Sequence, residues 1–252
     1  SPEGAACNEA QNAGERRKPR GDKAHSGRSR CPGSERSGGI SVSFWESKRR
    51  CIADLLAVFF LPLVANLAAS LLLKLLPLGE TALRFNAAYQ SCLLLAVFAW
   101  YRQGGKSGMR DERPFPWRYF AGTLCLYLLL MLLLDRSGFA MSDRLYRNSA
   151  GALRSIGGQA ARATLVVYAL CGAVAEEFLF RGISERGLAA FFGRPWQLAF
   201  GSAFLFALYH GNLTQGLLAF PMGLAFARLK ARGGLRASVA AHLSINLLAL
   251  FL

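Results

Sequence analysis

Long apolar runs separated by short polar stretches dominate the chain from residue 44 onward. Seven of these runs are candidate membrane spans: Ile52–Leu73, Phe85–Trp100, Phe120–Leu134, Ala163–Phe180, Leu198–Leu208, Leu213–Ala227 and Ala237–Leu252. A full span needs about 20 mainly apolar residues, so the shorter runs would be tilted, re-entrant or longer than these limits. None shows the alternation of a membrane β-barrel strand. The pattern predicts an all-α fold, a polytopic transmembrane bundle of about six to eight helices.

Composition agrees with a membrane protein, because 53% of the residues are hydrophobic. The net charge is +15, but the basic residues are spread over the loops between the apolar runs. Nucleic acid is therefore excluded as a partner, and the lipid bilayer is expected as one. Basic loops favour the cytoplasmic side, which predicts a multi-pass protein with a cytoplasmic N-terminus. These loop residues are Lys48, Arg49, Arg50, Arg102, Lys106, Arg110, Arg113, Arg118, Arg228, Lys230, Arg232 and Arg236.

The polarity pattern divides the chain into four regions. Residues 1–43 lack any apolar run and are predicted to be a disordered basic tail. Residues 44–134 form the N-terminal transmembrane helices, in which Asn66 and Lys74 are the polar exceptions, and 135–162 form a polar loop. Residues 163–252 form a C-terminal core with polar residues inside its apolar helices. The six cysteines show no CxxC pair, so no disulfide framework is predicted.

The first polar motif of this core is Glu176-Glu177-x-x-x-Arg181. A carboxylate inside a membrane helix costs several kcal/mol, roughly 2.5–3.5 at the low end, so two adjacent ones indicate a function. Glu177 and Arg181 are four residues apart and can form an ion pair. Glu176 lies about 100° around the helix axis from Glu177 and can face a cavity as a general base. The structural alternative is a local salt bridge at a helix end.

Two further motifs follow in the next apolar runs. Phe206-x-x-x-His210 precedes Gly211-Asn212, which predicts a helix that ends inside the protein beside a cavity. His242-x-x-x-Asn246 places two polar side chains on one face of the last helix. The alternative for this pair is simple hydrogen bonding between helices.

Together these residues can activate a water molecule and stabilise an oxyanion. Two histidines and a glutamate can also hold a catalytic zinc ion. The compact His-Glu-x-x-His helix of many metalloproteases is absent, so we expect no cofactor, and a divalent metal such as zinc stays an alternative.

The order and spacing of the three motifs resemble those of the CAAX prenyl endopeptidase and bacteriocin-processing (CPBP) intramembrane proteases, over residues 163–252. The resemblance implies that Glu176 and His210 activate water and that His242 and Asn246 form the oxyanion hole. It also implies that Glu177 and Arg181 support the site, and that the protein is a glutamic-type rather than a metallo-type peptidase.

The resulting hypothesis is an intramembrane endopeptidase that cleaves a membrane-associated protein or peptide. A prenylated protein, a bacteriocin leader and a sorting tail would each fit as substrate. One alternative is a non-catalytic membrane scaffold, such as an immunity protein or chaperone, that keeps the protease fold. A small proton-coupled transporter is a weaker alternative, because no internal repeat is visible.

Overall fold

The computed structural model describes residues 37–76, 82–104, 113–138 and 159–249. Every regular element in these ranges is helical, and no strand occurs in them. The elements are α1 Ser37–Leu75, α2 Ala82–Gln103, α3 Trp117–Ser137, α4 Gln159–Glu177, a π-helical segment Phe178–Ser184, α5 Glu185–Leu188, α6 Pro195–Tyr209 and α7 Leu213–Ala249. Since α4, the π-helical segment and α5 are continuous, the described ranges contain six helices. The predicted all-α fold is confirmed.

Three described helices are long and apolar enough to cross a membrane, namely Ser47–Leu75, Trp117–Ser137 and Ala163–Leu188. Their outer faces carry many exposed apolar side chains, such as Phe59 and Leu67 of α1. In water such faces would be unfavourable, whereas lipid solvates them. The protein is therefore an integral membrane protein. The other four predicted spans are also helical wherever the structure describes them, within α2, α6 and α7.

The predicted regions correspond only in part to the helices. Helix α1 begins at Ser37, inside the predicted tail, because extending a stable helix costs far less than starting one. Residues 1–36 of that tail lie outside the described residues. Of the predicted polar loop, residues 139–158 also lie outside them, and its two ends belong to α3 and α4. From Gly39 onward the described residues belong to one compact unit.

Two helix breaks place polar groups beside the site. Helix α6 ends at Tyr209, and Gly211 follows with a positive φ of 68°. Asn212 then caps α7 by accepting a hydrogen bond from the Gln215 amide at 2.8 Å. The predicted break at Gly211-Asn212 is confirmed. The second break lies inside α7 at Gly233 and Gly234, where Gly234 has a φ of 74°.

Helix α7 is the central element of the C-terminal half, since it packs against α3, α4 and α6. Close packing of small residues drives helix association in membranes, where the hydrophobic effect is weak. Gly223 of α7 illustrates this, because a Cβ atom there would lie 2.9 Å from the Cβ of Ala203 in α6. Helix α4 packs against α2 as well as α7. The three polar motifs therefore meet around α7.

Candidate active site

Glu177, the last residue of α4, is fully buried and has three partners. Its Oε1 atom lies 2.9 Å from His242 Nδ1 and 3.3 Å from Arg181 Nη1. Ser238 donates its hydroxyl hydrogen to Oε2. Both carboxylate oxygens are thus engaged, so Glu177 serves to hold other groups in place.

Arg181 is the cation that balances this buried carboxylate. It lies in the π-helical segment, is fully buried, and donates a hydrogen bond to the Gly223 carbonyl at 3.1 Å. Its guanidinium carbon lies 4.5 Å from the ring centre of Phe206 and 5.3 Å from that of Phe226. The predicted pairing of Glu177 with Arg181 is confirmed. The rings and the carbonyl compensate in part for the loss of water around the guanidinium.

His242 is held by two aromatic rings and at one nitrogen. Its ring stacks on Phe226 at 4.7 Å between centres, and Phe206 packs edge-on at 5.8 Å. Because the Glu177 carboxylate only accepts hydrogen bonds, Nδ1 is the donor in that contact. The other nitrogen, Nε2, lies 3.7 Å from Glu176 Oε2. His242 therefore presents a single available nitrogen toward Glu176.

Glu176 differs from its neighbour, because no such set of partners surrounds it among the described residues. Its carboxylate lies near His242 Nε2, and its side chain is 11% exposed. The hydroxyl groups of Tyr89 and Tyr209 are 2.8 Å apart. Both side chains lie close enough to Glu176 to interact electrostatically with its carboxylate. The 3.7 Å separation from His242 is longer than a hydrogen bond, so Glu176 can still bind another group.

His210 lies directly after α6 and is oriented by that helix end. Its Nδ1 atom is 2.8 Å from the Phe206 carbonyl, one of the last four carbonyls, which a helix leaves unpaired. Since a carbonyl only accepts, Nδ1 carries the hydrogen, and Nε2 of the neutral ring is a proton acceptor. The Phe206 ring contacts the rings of both His210 and His242. The two histidines thus contact the same aromatic side chain.

Asn246 lies one helical turn after His242 on α7 and contacts α4. Its Nδ2 donates a hydrogen bond to the Ala169 carbonyl at 3.2 Å. An asparagine amide has two hydrogens, so one remains for another acceptor. The structure therefore brings Glu176, Glu177, Arg181 and His242 into one cluster, with His210 and Asn246 at its edges.

Sequence reasoning missed Ser238 and Asp54. Ser238 precedes His242 by four residues, and this spacing on one helix face could have indicated it. Asp54 lies inside the first predicted span and is fully buried. Its carboxylate accepts hydrogen bonds from Trp100 Nε1 at 2.9 Å and from Arg186 at 2.5 and 2.9 Å. It follows Arg50 by four residues, a spacing that could have revealed it as a buried ion pair.

Within residues 37–76, 82–104, 113–138 and 159–249, no group of three or more His, Cys, Asp and Glu side chains is arranged to hold a metal ion.

Comparison with known protein families finds a match that covers this site. Residues 158–248 match the family model described as type II CAAX prenyl endopeptidase Rce1-like. The CPBP resemblance is confirmed for this segment. The match includes all the candidate residues from Glu176 to Asn246, and it supports protease activity in a membrane setting. No match was found among curated proteins or among solved structures.

Proposed function

We propose that this protein is an intramembrane endopeptidase that hydrolyses a peptide bond of a membrane-associated protein or peptide. The observation that carries the proposal is the arrangement of Glu177, His242 and Glu176. Glu177 holds one nitrogen of His242, and the other nitrogen faces a second carboxylate at 3.7 Å. Both carboxylate oxygens of Glu177 have protein partners, so Glu177 has the structural role. Glu176 can still bind water, so it has the reactive role.

Glu176 and His210 are proposed to activate the water. Glu176 has spare acceptor capacity, because its carboxylate lies 3.7 Å from His242 Nε2, which is beyond hydrogen-bonding distance. His210 has its Nε2 lone pair available, because Nδ1 donates to the Phe206 carbonyl. A water molecule hydrogen-bonded to both groups would be oriented by His210 and deprotonated by Glu176.

His242 and Asn246 are proposed to stabilise the oxyanion. A protonated His242 can donate from Nε2, while its positive charge is balanced by Glu177. Asn246 can donate its second amide hydrogen, while the first holds the side chain to Ala169. Donors fixed in advance by other contacts lose little freedom when negative charge develops, which makes them effective catalysts.

The proposed step conserves atoms and protons. Glu176 takes a proton from water as the water oxygen bonds to the substrate carbonyl carbon, and the carbonyl oxygen becomes the oxyanion. The carbon–nitrogen bond then breaks as Glu176 returns the proton to the departing nitrogen. The products are one peptide with a new carboxylic acid, which passes its proton to the new amine or to water, and one peptide with that amine; the protein is regenerated.

A substrate of this site must reach residues buried among helices at membrane depth. A lipid-modified or apolar peptide segment meets this requirement, and we propose such a segment as the substrate class. A prenylated peptide with a CAAX terminus is the first substrate to test, because the matching family model is named for prenyl endopeptidases. We also propose a multi-pass topology with the N-terminus in the cytoplasm, which the basic loops favour.

The proposed mechanism is of the glutamic type and needs no metal. Its support is that both oxygens of Glu177 and the Nδ1 atom of His242 already have protein partners. Prolonged dialysis against a strong chelator should leave cleavage unchanged in the purified protein. A loss of cleavage that added zinc restores would assign the site to a metallopeptidase.

The decisive experiment follows cleavage of a quenched fluorescent peptide carrying a farnesylated cysteine by the full chain in lipid vesicles. Wild type should cleave it, and Glu176→Ala and His210→Ala should each reduce the rate by about 10²–10⁴-fold. Asp135→Asn, a change at an exposed carboxylate at the end of α3, should leave the rate unchanged. Mass spectrometry of the products locates the cleaved bond.

Full cleavage by the Glu176→Ala protein would contradict the proposal. The scaffold hypothesis makes the opposite prediction, namely that a biological function of the protein survives Glu176→Ala. Absence of cleavage by wild type toward farnesylated peptides, with cleavage of an apolar unprenylated peptide, would keep the peptidase proposal and change the substrate class.

A further inference from the structure

A second charged region lies where the start of α3 meets the break in α7. We call it the arginine cluster and define it as Arg113, Arg228, Arg232 and Arg236, all of which are exposed. None of these residues belongs to the candidate active site. Gathering four like charges on one surface is unfavourable unless something nearby balances them.

The break in α7 accounts for the positions of two of the four arginines, which hydrogen-bond to carbonyl groups at or beside it. Arg113 donates to the Ala231 carbonyl, and Arg236 donates to the Gly233 carbonyl at 3.4 Å and to the Arg113 carbonyl. A break in a helix frees carbonyls that would otherwise pair four residues later. These contacts give Arg113 and Arg236 a structural role at the break.

Arg228 and Arg232 have no comparable explanation. Their guanidinium carbons lie 5.6 and 4.9 Å from the centre of one ring, that of Tyr119. At an exposed site such a contact contributes only about 0.5–1 kcal/mol. No carboxylate among the described residues forms a salt bridge with either one; Asp111 and Glu112 lie outside those residues. Two guanidinium groups therefore lie close to one aromatic ring.

The position of this pair along the membrane normal follows from α3. Trp117 begins a helix that is long and apolar enough to span a membrane, and its side chain is 69% exposed. Phe115 and Phe120 pack around it at 4.5 and 5.9 Å. Tryptophan and tyrosine concentrate at the level of the lipid headgroups. Tyr119 and the two arginines that contact its ring therefore lie close to the level of the lipid headgroups.

We propose that Arg228 and Arg232 bind the phosphate group of an anionic phospholipid. Guanidinium groups bind phosphate through paired hydrogen bonds, and two of them can engage separate oxygens of one phosphate. The exposed apolar side of α3 offers a surface for the acyl chains of the same lipid. Depth in the membrane favours a lipid headgroup over inorganic phosphate as the source of the anion.

Such a lipid would stabilise the part of α7 that supports the active site. Lys230 lies between the two arginines in sequence, forms an ion pair with Glu185 at 2.6 Å, and donates to the Arg181 carbonyl. The lipid site is nevertheless separate from the catalytic residues, so its test does not depend on peptidase activity.

The test titrates the full chain in detergent with phospholipids whose acyl chains are brominated, and measures quenching of tryptophan fluorescence. Subtracting the signal of a Trp117→Phe protein isolates quenching at Trp117. Brominated phosphatidylglycerol should quench at lower concentration than brominated phosphatidylcholine. Arg228→Gln/Arg232→Gln should weaken phosphatidylglycerol binding by about 30-fold, since each basic residue near an anionic headgroup contributes about fivefold.

A matched control is Arg84→Gln/Arg136→Gln, which removes two exposed arginines that lie away from the cluster, including one at the other end of α3. This variant should keep the wild-type preference for phosphatidylglycerol. If the double variant of the cluster fails to fold, Arg232→Gln alone should still weaken binding about fivefold.

Four outcomes would overturn the lipid assignment. Equal quenching of wild type by the two lipids would do so, as would an unchanged preference in the folded cluster variant. Displacement of phosphatidylglycerol by inorganic phosphate at equal concentration would indicate a general anion site. Displacement by hexaglutamate at lower concentration would indicate an acidic protein segment as the partner.

Discussion

Two buried carboxylates in this protein each pair with an arginine, yet their surroundings differ. Asp54 joins α1 to Trp100 of α2 and Arg186 of α5, and all the contacts of its carboxylate are to protein groups. Glu177 is equally saturated, but it binds a histidine whose second nitrogen faces a further carboxylate, Glu176. The contacts of Asp54 thus serve to join helices. The contacts of Glu177 lead through His242 to Glu176, a carboxylate that can still bind another group.

This comparison teaches that burial and an arginine partner do not identify a catalytic acid. Both Asp54 and Glu177 are fully buried and paired. What marks the reactive residue is a carboxylate that protein contacts leave incompletely bound, here Glu176. We therefore expect Asp54 to affect stability, Glu176 to affect catalysis, and Glu177 to affect both.

The largest combined effect is expected from Glu177→Gln. It leaves Arg181 buried without its anion, which should lower the free energy of unfolding by about 3–5 kcal/mol. Cleavage should fall by roughly 10²–10⁴-fold, because His242 loses the charge that holds and balances it. Thermal unfolding in detergent and the peptide assay measure the two effects. A stable protein with normal cleavage would refute the role of Glu177 as the hub.

Asn246→Ala should come next, with an effect on rate. Removing one oxyanion donor typically costs about 10²–10³-fold in turnover. The lost hydrogen bond to Ala169 should reduce stability by about 1 kcal/mol. Asn66→Ala, at an exposed position of α1, is the control and should change neither quantity. If the rate fell only in proportion to the folded fraction, Asn246 would serve to join two helices and not to stabilise the oxyanion.

Asp54→Asn should affect only stability. The change weakens hydrogen bonds to Arg186 and Trp100 and should lower the free energy of unfolding by about 2–3 kcal/mol. The folded protein should cleave within about threefold of wild type, because Asp54 has no contact with the site. A 100-fold fall in cleavage per folded molecule would show that Asp54 does contribute to catalysis, contrary to the distinction between the two clusters.

Ser238→Ala should change both stability and turnover, each by a modest amount. It removes one of three contacts of Glu177, which should cost about 1–3 kcal/mol of stability if the oxygen stays unpaired. Turnover should fall modestly, by roughly tenfold, since Glu177 still holds His242 through its other oxygen. Ser244→Ala is the control, because that hydroxyl donates only to the Ala240 carbonyl within its own helix. An equal effect of both variants would deny Ser238 a role at the site.

Much of the fold was predictable because it depends on local pattern. Apolar runs predicted the helices, the spacing of Glu177 and Arg181 predicted their ion pair, and Gly211-Asn212 predicted the end of α6. Each of these features depends on neighbours in sequence. Helix α1 extends several residues into the predicted tail, since helix ends depend on cooperativity as much as on composition.

The remaining features depend on contacts between distant segments. The bond between Glu177 and His242 joins α4 to α7, and Asn246 binds a carbonyl that no side-chain pattern indicates. The π-helical turn that carries Arg181 has no clear sequence signal. Asp54 finds its partners on α2 and α5. Such pairings follow from how the helices pack, which one-dimensional periodicity does not specify.

The most direct test of the account compares the cleavage rates of Glu176→Gln and Asp54→Asn, each divided by its folded fraction in the same vesicles. We expect Glu176→Gln to lose at least about 10²-fold in cleavage rate while its unfolding temperature stays close to wild type. We expect the rate of Asp54→Asn to stay within about threefold per folded molecule, because Asp54 supports only the packing of the helices. Cleavage by Glu176→Gln at the rate of Asp54→Asn would contradict the assignment of Glu176 as the base.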